Sequence, residues 1–187
     1  MPGPDIIYVL VQSLTNGKKY GIATSLGLVS GIIIHTSLVA FGVSAVIKSS
    51  EYLFISIKLF GAMYLLYLAY ITLKSNEEVI IHTKAEKKGL LKLFKQGFIM
   101  NVLNPKVSIF FLAFFPGFLY SNSQSTVVQF YVLGGLFMVQ AFIIFSMVSV
   151  LSGSFANYLK KHPTFNSNIK WFKIVVFIGI AFFILFS

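Results

Sequence analysis

Two charged side chains follow directly on proline-containing breaks in an otherwise apolar chain. Asp5 comes after Pro2-Gly3-Pro4, and Lys106 comes after Asn101-Val102-Leu103-Asn104-Pro105. Proline has no amide hydrogen and clashes with the preceding turn, so nearby carbonyls lose their intrahelical partners. Freed backbone beside a carboxylate suits an ammonium group. A helix N-terminus beside a lysine suits a carboxylate. Each residue also has a plainer reading: Asp5 fits a helix N-cap or first-turn acid, and Lys106 fits a lysine that bonds the carbonyls released at a kink. His35 follows Gly27 and Gly31 at successive i+4 positions, and Gly27-Leu28-Val29-Ser30-Gly31 has the spacing that lets two helices approach closely. On that face the imidazole fits equally an interhelical hydrogen bond and a proton relay, because its reference pKa is about 6.5.

These residues need elements to hold them, and the composition says which kind. Of 187 residues 57% are hydrophobic and only 11% charged, against about 25% charged in a soluble domain. The mean hydropathy is +0.85. Charges collect in short patches between long apolar runs, the pattern of a membrane-spanning chain. Gly21–Ile47 and Val127–Ser152 are uncharged runs. Tyr52–Leu73 is interrupted only by Lys58, and Gly97–Tyr120 only by Lys106. Trp171–Ser187 is a shorter fifth run. At about 1.5 Å per helical residue, runs of this kind cover a hydrocarbon core of about 30 Å. Ile6–Leu14 covers about half of one. It is not a signal peptide, since its positive charges, Lys18 and Lys19, come after the apolar stretch. It reads as the second half of a span whose first half is missing, which points to a fragment or to a start codon placed too late.

The fold expected is therefore an all-α integral membrane protein of six transmembrane helices, the first truncated, in a single transporter domain over residues 1–187. Lysines set its orientation. Lys18 and Lys19, the Lys74–Lys95 group, and Lys160, Lys161, Lys170 and Lys173 fall in alternate loops, while the other loops hold Lys48 with Glu51 and the uncharged Ser121–Ser125. By the positive-inside rule the lysine-rich loops are cytoplasmic. The loop 75–95 then separates repeat one, 1–74, from repeat two, 96–187. Three spans in each half make the halves inverted relative to one another. The two proline breaks fall in the first span of each half, and paired interruptions at corresponding places point to a transport site near the bilayer midplane. Lys106, about 14 Å along a helix from Gly97, lies too deep to snorkel comfortably. Lys58, about 9 Å into its span, can reach outward.

A net charge of +10 does not make a nucleic-acid binder here, because the lysines lie in loops and form no basic groove interleaved with aromatics. No cysteine is present, which excludes disulfides and thiolate metal sites. Nothing calls for a cofactor or a resident metal.

The Pro2-Gly3-Pro4-Asp5 run, the series Gly17, Gly21, Gly27, Gly31 and His35, and the stretch Lys58–Leu68 together resemble the lysine-exporter (LysE/RhtB) family. The second half adds Gly97-Phe98, Asn101–Lys106, Phe110-Phe111 and Pro116-Gly117-Phe118. The likeness extends over nearly the whole chain, although family members carry about one additional half-span before the Pro-Gly-Pro motif. The resemblance implies a six-helix bacterial inner-membrane exporter of amino acids driven by the proton gradient, with Asp5 and Asn104-Pro105-Lys106 at the transport site.

The expected activity is export of a zwitterionic amino acid by alternating access of two inverted halves. Lys106 and the helix terminus after Pro105, with Asn101 and Asn104, would hold the α-carboxylate. Asp5 and the carbonyls near Pro4 would hold the α-ammonium, and Asp5 or His35 would exchange the proton. The expected partners are thus the amino acid, protons and the bilayer, with a homodimer left open and no nucleic acid. A metal-cation exporter is the alternative within transport, disfavoured by one Asp and one His in the spans. A non-transporting assembly protein is a further alternative. A membrane enzyme finds only His35 with Ser30 or Ser37 as a nucleophile pair.

Overall fold

The computed structural model describes residues 4–74, 88–121, 123–154 and 163–186, and the side chains of all of these except 4, 47–49 and 163–169. Pro2, Gly3, most of the charged segment before Lys88, and Lys160 and Lys161 lie outside the described residues. Every regular element within them is helical: α1 (Pro4–Asn16), α2 (Lys18–Ser49), α3 (Glu51–Lys74), α4 (Leu90–Val102), α5 (Pro105–Phe114) with a following 3-10 turn (Phe115–Phe118), α6 (Thr126–Val150) and α7 (Pro163–Phe186).

The helix ends follow from local chemistry. Gly17 separates α1 from α2 with φ 103°, a left-handed conformation that costs glycine nothing. Its amide donates to the Ser13 carbonyl at 3.0 Å and its carbonyl accepts from the Tyr20 amide at 2.9 Å. Ser50 starts α3 by accepting the Leu53 amide on its hydroxyl, 3.3 Å. Glu51 in the first turn and Lys74 in the last both favour the helix dipole.

Among the described residues, three helices are long and apolar enough to cross a membrane: Lys18–Val46, Glu51–Lys74 and Thr126–Val150. A fourth span exists if Leu90–Val102 and Pro105–Phe118, bent by 56° at the break between them, count as one. The described residues therefore supply a multi-pass helical protein with three or four spans, against six expected. At 13 residues, about 20 Å, α1 is too short to cross alone. Helices α4 and α7 begin at Leu90 and Pro163, before the apolar runs that mark them. Polar residues such as Lys92 and Lys95 thus ride on the first turns of α4 rather than in a loop.

The chain divides into two compact units. One comprises Met1–Ile32, Asn76–Leu103 and Phe137–Lys170; the other comprises Ile33–Ser75, Asn104–Leu136 and Trp171–Ser187. In the first, α4 buries Leu93, Gly97 and Asn101, residues four apart on one helical face. A Cβ on Gly27 would collide with the Phe94 carbonyl, and one on Gly31 would lie 2.6 Å from Asn101 Oδ1. Gly97 meets Thr24 and Leu28 in the same way. The GxxxG face is therefore a seam in which backbones touch, as its spacing implied. Nearby, Ser13 Oγ donates to Ser149 Oγ at 2.9 Å, and Ser149 Oγ donates to the Lys18 carbonyl at 2.8 Å.

In the second unit, Ala62, Leu65 and Leu68 of α3, Ala113 of α5, and Ala181 and Ile184 of α7 form one buried cluster. Phe111, Phe115 and Phe130 are fully buried, with centroids 4.4 Å apart between the first two and 6.4 Å between Phe115 and Phe130. Those phenylalanines are packing residues. Others stand outside: Phe60, Met63 and Tyr67 of α3 are exposed, as are Val132 of α6 and Phe182 of α7. Apolar surface on this scale is what lipid requires and what a soluble monomer rarely shows.

Candidate functional site

The second proline break is built by three consecutive residues. Asn104 precedes a proline, which disfavours the helical conformation for it, and its backbone is extended, φ −82° and ψ 103°. Helix α4 has already ended, with the Leu103 amide returning to the Ile99 carbonyl at 2.9 Å. Pro105 takes the first helical position of α5, where its missing N–H costs nothing. Asn104 then caps the new helix. Its Oδ1 accepts the Lys106 amide at 3.1 Å, and its carbonyl accepts the Val107 and Ser108 amides at 3.1 and 3.2 Å. The break is thus a finished helix N-terminus within an apolar sequence, with positive dipole and oriented N–H groups, an arrangement suited to anions.

Lys106 extends from that terminus. Its side chain is exposed on the second unit, and Nζ stands 5.2 Å from the centre of the Phe177 ring, a cation–π contact that gains strength when water is excluded. The cation and the helix terminus reinforce each other as an anion-attracting pair. Lys58 makes a similar contact, Nζ 5.8 Å from the Phe54 ring.

His35 is 1% exposed. Its ring lies 5.8 Å from that of Phe111, and its Nδ1 is 3.3 Å from Ser108 Oγ. Ser108 Oγ is also 3.4 Å from the Asn104 carbonyl, so the imidazole is connected to the break through one hydroxyl. A cavity of about 200 Å³ is lined by His35, Leu38, Val39, Ser108, Ile109 and Leu112.

Of the residues singled out in the sequence, Asn104, Pro105, Lys106 and His35 belong to the second unit, where Ser108 joins His35 to Asn104. Pro4, Asp5 and Asn101 belong to the first. Pro4 is the first residue described in α1, and Asp5 sits half-buried in its first turn. Asn101 is buried against Gly31.

Sequence reasoning missed two residues. Ser108 carried a signal: it stands four residues after Asn104, on the same helical face. Gln129 carried none. It is 1% exposed, its Oε1 accepts the Tyr120 and Ser121 amides at 2.8 and 3.1 Å, and its Nε2 donates to the Ser121 and Gln124 carbonyls at 2.7 and 3.1 Å. All four bonding positions of the amide are used, which clamps the turn between α5 and α6.

The chain is 32% identical over 162 residues to the leucine efflux proteins of Salmonella typhimurium and Salmonella typhi, covering 84% of this chain and 74% of theirs. It is 28% identical over 159 residues to the homoserine/homoserine lactone efflux protein of Salmonella typhimurium, covering 85% and 77%. No solved structure matches significantly. The LysE type translocator family matches residues 1–187 in full; with a multi-pass helical fold broken at Asn104-Pro105, the chain belongs to that family of membrane transporters, which are not enzymes.

Proposed function

We propose that this chain exports zwitterionic amino acids across the bacterial cytoplasmic membrane by proton antiport. The observation that carries the reading is the capped helix terminus at Asn104-Pro105, with Lys106 beside it, inside an apolar span of a translocator. A carboxylate placed there meets both the dipole and the cation. Asp5 provides a carboxylate for the ammonium group at the corresponding start of α1, beside the backbone at Pro4. Asn101 supplies a buried amide on α4, and Asp5 or His35 exchanges the proton. Leucine and homoserine, named for the Salmonella relatives, carry no charge on their side chains. That agrees with a substrate whose side chain brings no charge to the site, whereas the homoserine lactone also named there has no free carboxylate to offer Lys106. In the membrane the chain forms six spans as two inverted halves, with the lysine-rich loops cytoplasmic.

Bacteria loaded with dipeptides that release amino acids inside test this directly. Efflux of one or a few amino acids above the empty-vector rate is the expected result. Lys106→Ala, at equal membrane abundance, weakens the apparent affinity about 10- to 100-fold, the range for losing a hydrogen bond to a charged group. Unchanged affinity in Lys106→Ala would remove the lysine from the site. An abundant native chain that moves no amino acid would refute the exporter reading.

A further inference from the structure

The geometry points to Ser108 as the positioning residue that couples protonation of His35 to the helix break at Asn104. The inference rests on the reading of proton-coupled export. Its basis is a hydroxyl with one hydrogen and two acceptors within reach, His35 Nδ1 at 3.3 Å and the Asn104 carbonyl at 3.4 Å. It can serve only one at a time.

When His35 is neutral with its hydrogen on Nε2, Nδ1 is an acceptor and takes the Ser108 hydrogen. When the ring gains a proton, Nδ1 becomes a donor to Ser108 Oγ, and the hydroxyl hydrogen turns to the Asn104 carbonyl. That carbonyl already accepts the Val107 and Ser108 amides, and Asn104 Oδ1 holds the Lys106 amide. A proton on the imidazole therefore adds a donor to the residue that caps α5 and sets the backbone of Lys106. No bond is made or broken apart from the proton transfer itself, and the proton stays on the ring.

Protons need a route to a side chain that is 1% exposed. The pocket of about 200 Å³ that touches both His35 and Ser108 is otherwise lined by Leu38, Val39, Ile109 and Leu112, so those two side chains are the polar groups at which a water could be held. Three other titratable groups of the same unit have partners of their own. Tyr131 of α6 bonds Ser37 at 2.8 Å. Lys106 of α5 lies over Phe177 of α7, and Lys58 of α3 lies over Phe54.

The test uses the full chain with Ser108→Ala and Ser108→Thr, which keeps a hydroxyl at the same place. Efflux is measured in cells or liposomes from pH 5.5 to 8.5. In parallel, the His35 ring nitrogens are followed by ¹⁵N NMR in lipid nanodiscs, in a His82→Gln, His162→Gln background. Ser108→Ala is expected to shift the pH profile of efflux and to change the His35 Nδ1 signal, while Ser108→Thr restores both. A Ser108→Ala chain that is merely slower, with an unshifted profile and an unaltered Nδ1 signal, would overturn the proposal. So would a neutral His35 that keeps its hydrogen on Nδ1. If the native chain exports nothing, the exporter reading fails by itself; the NMR comparison then decides the coupling, changed and restored supporting it, unchanged refuting it.

Discussion

A single side chain shows how much depends on complete hydrogen bonding. Gln129 uses both donors and both acceptor positions on the backbone of the turn before it, and it is buried. Removing the amide leaves two N–H groups and two carbonyls to find new partners. Gln129→Ala should therefore lower the stability of the detergent-solubilised protein by about 1–3 kcal/mol, read as an earlier thermal or denaturant midpoint, and Gln129→Glu should recover only the acceptor half. Lys106 differs in kind. Its charge was legible in the sequence because a lysine within an apolar run carries an insertion cost of at least about 2.5–3.5 kcal/mol. Its cation–π contact with Phe177 was not, since nothing local names which of many phenylalanines it meets.

At the scale of elements, the second proline break could be read from the sequence alone. Pro105 with Asn104 before it spells a helix start, and the structure places a capped N-terminus there. Gly27 and Gly31 lie where α2 meets α4. Gly42, on the same helix, has open space around the position of a Cβ. Alanine should separate the two sites. Gly27→Ala forces α2 away from the Phe94 carbonyl of α4 and should destabilise the fold by about 1–3 kcal/mol, the usual cost of overpacking. Gly42→Ala should be neutral or stabilising by about 0.5–1 kcal/mol, because helix propensity improves with no clash. Thermal unfolding of the two variants side by side checks this. Element boundaries were less legible. Helices α4 and α7 start well before their apolar runs, since a helix that leaves the hydrocarbon continues in water where hydropathy gives no signal.

For the whole molecule, orientation is the property that loop charge predicts. The absence of cysteine makes a clean test, because any introduced thiol is the sole target. A Ser123→Cys chain should react with an impermeant maleimide in intact spheroplasts, and a Lys87→Cys chain only after permeabilisation. Reversed labelling would invert the topology and place the Lys18–Lys19 turn outside. The division into two compact units, each drawing on three separated stretches of chain, had no counterpart in the linear pattern of two halves.

Composition, hydropathy and proline placement are local quantities. By themselves they determined the class of protein, its helical character and the break at Asn104-Pro105, because a bilayer imposes strong rules on every residue that crosses it. The tertiary structure alone decided which side chains meet. Ser108 bonds His35 across 73 residues, and Ser13 bonds Ser149 across 136. Such pairs depend on how helices pack, and packing is a property of the assembled surfaces rather than of any one stretch of sequence.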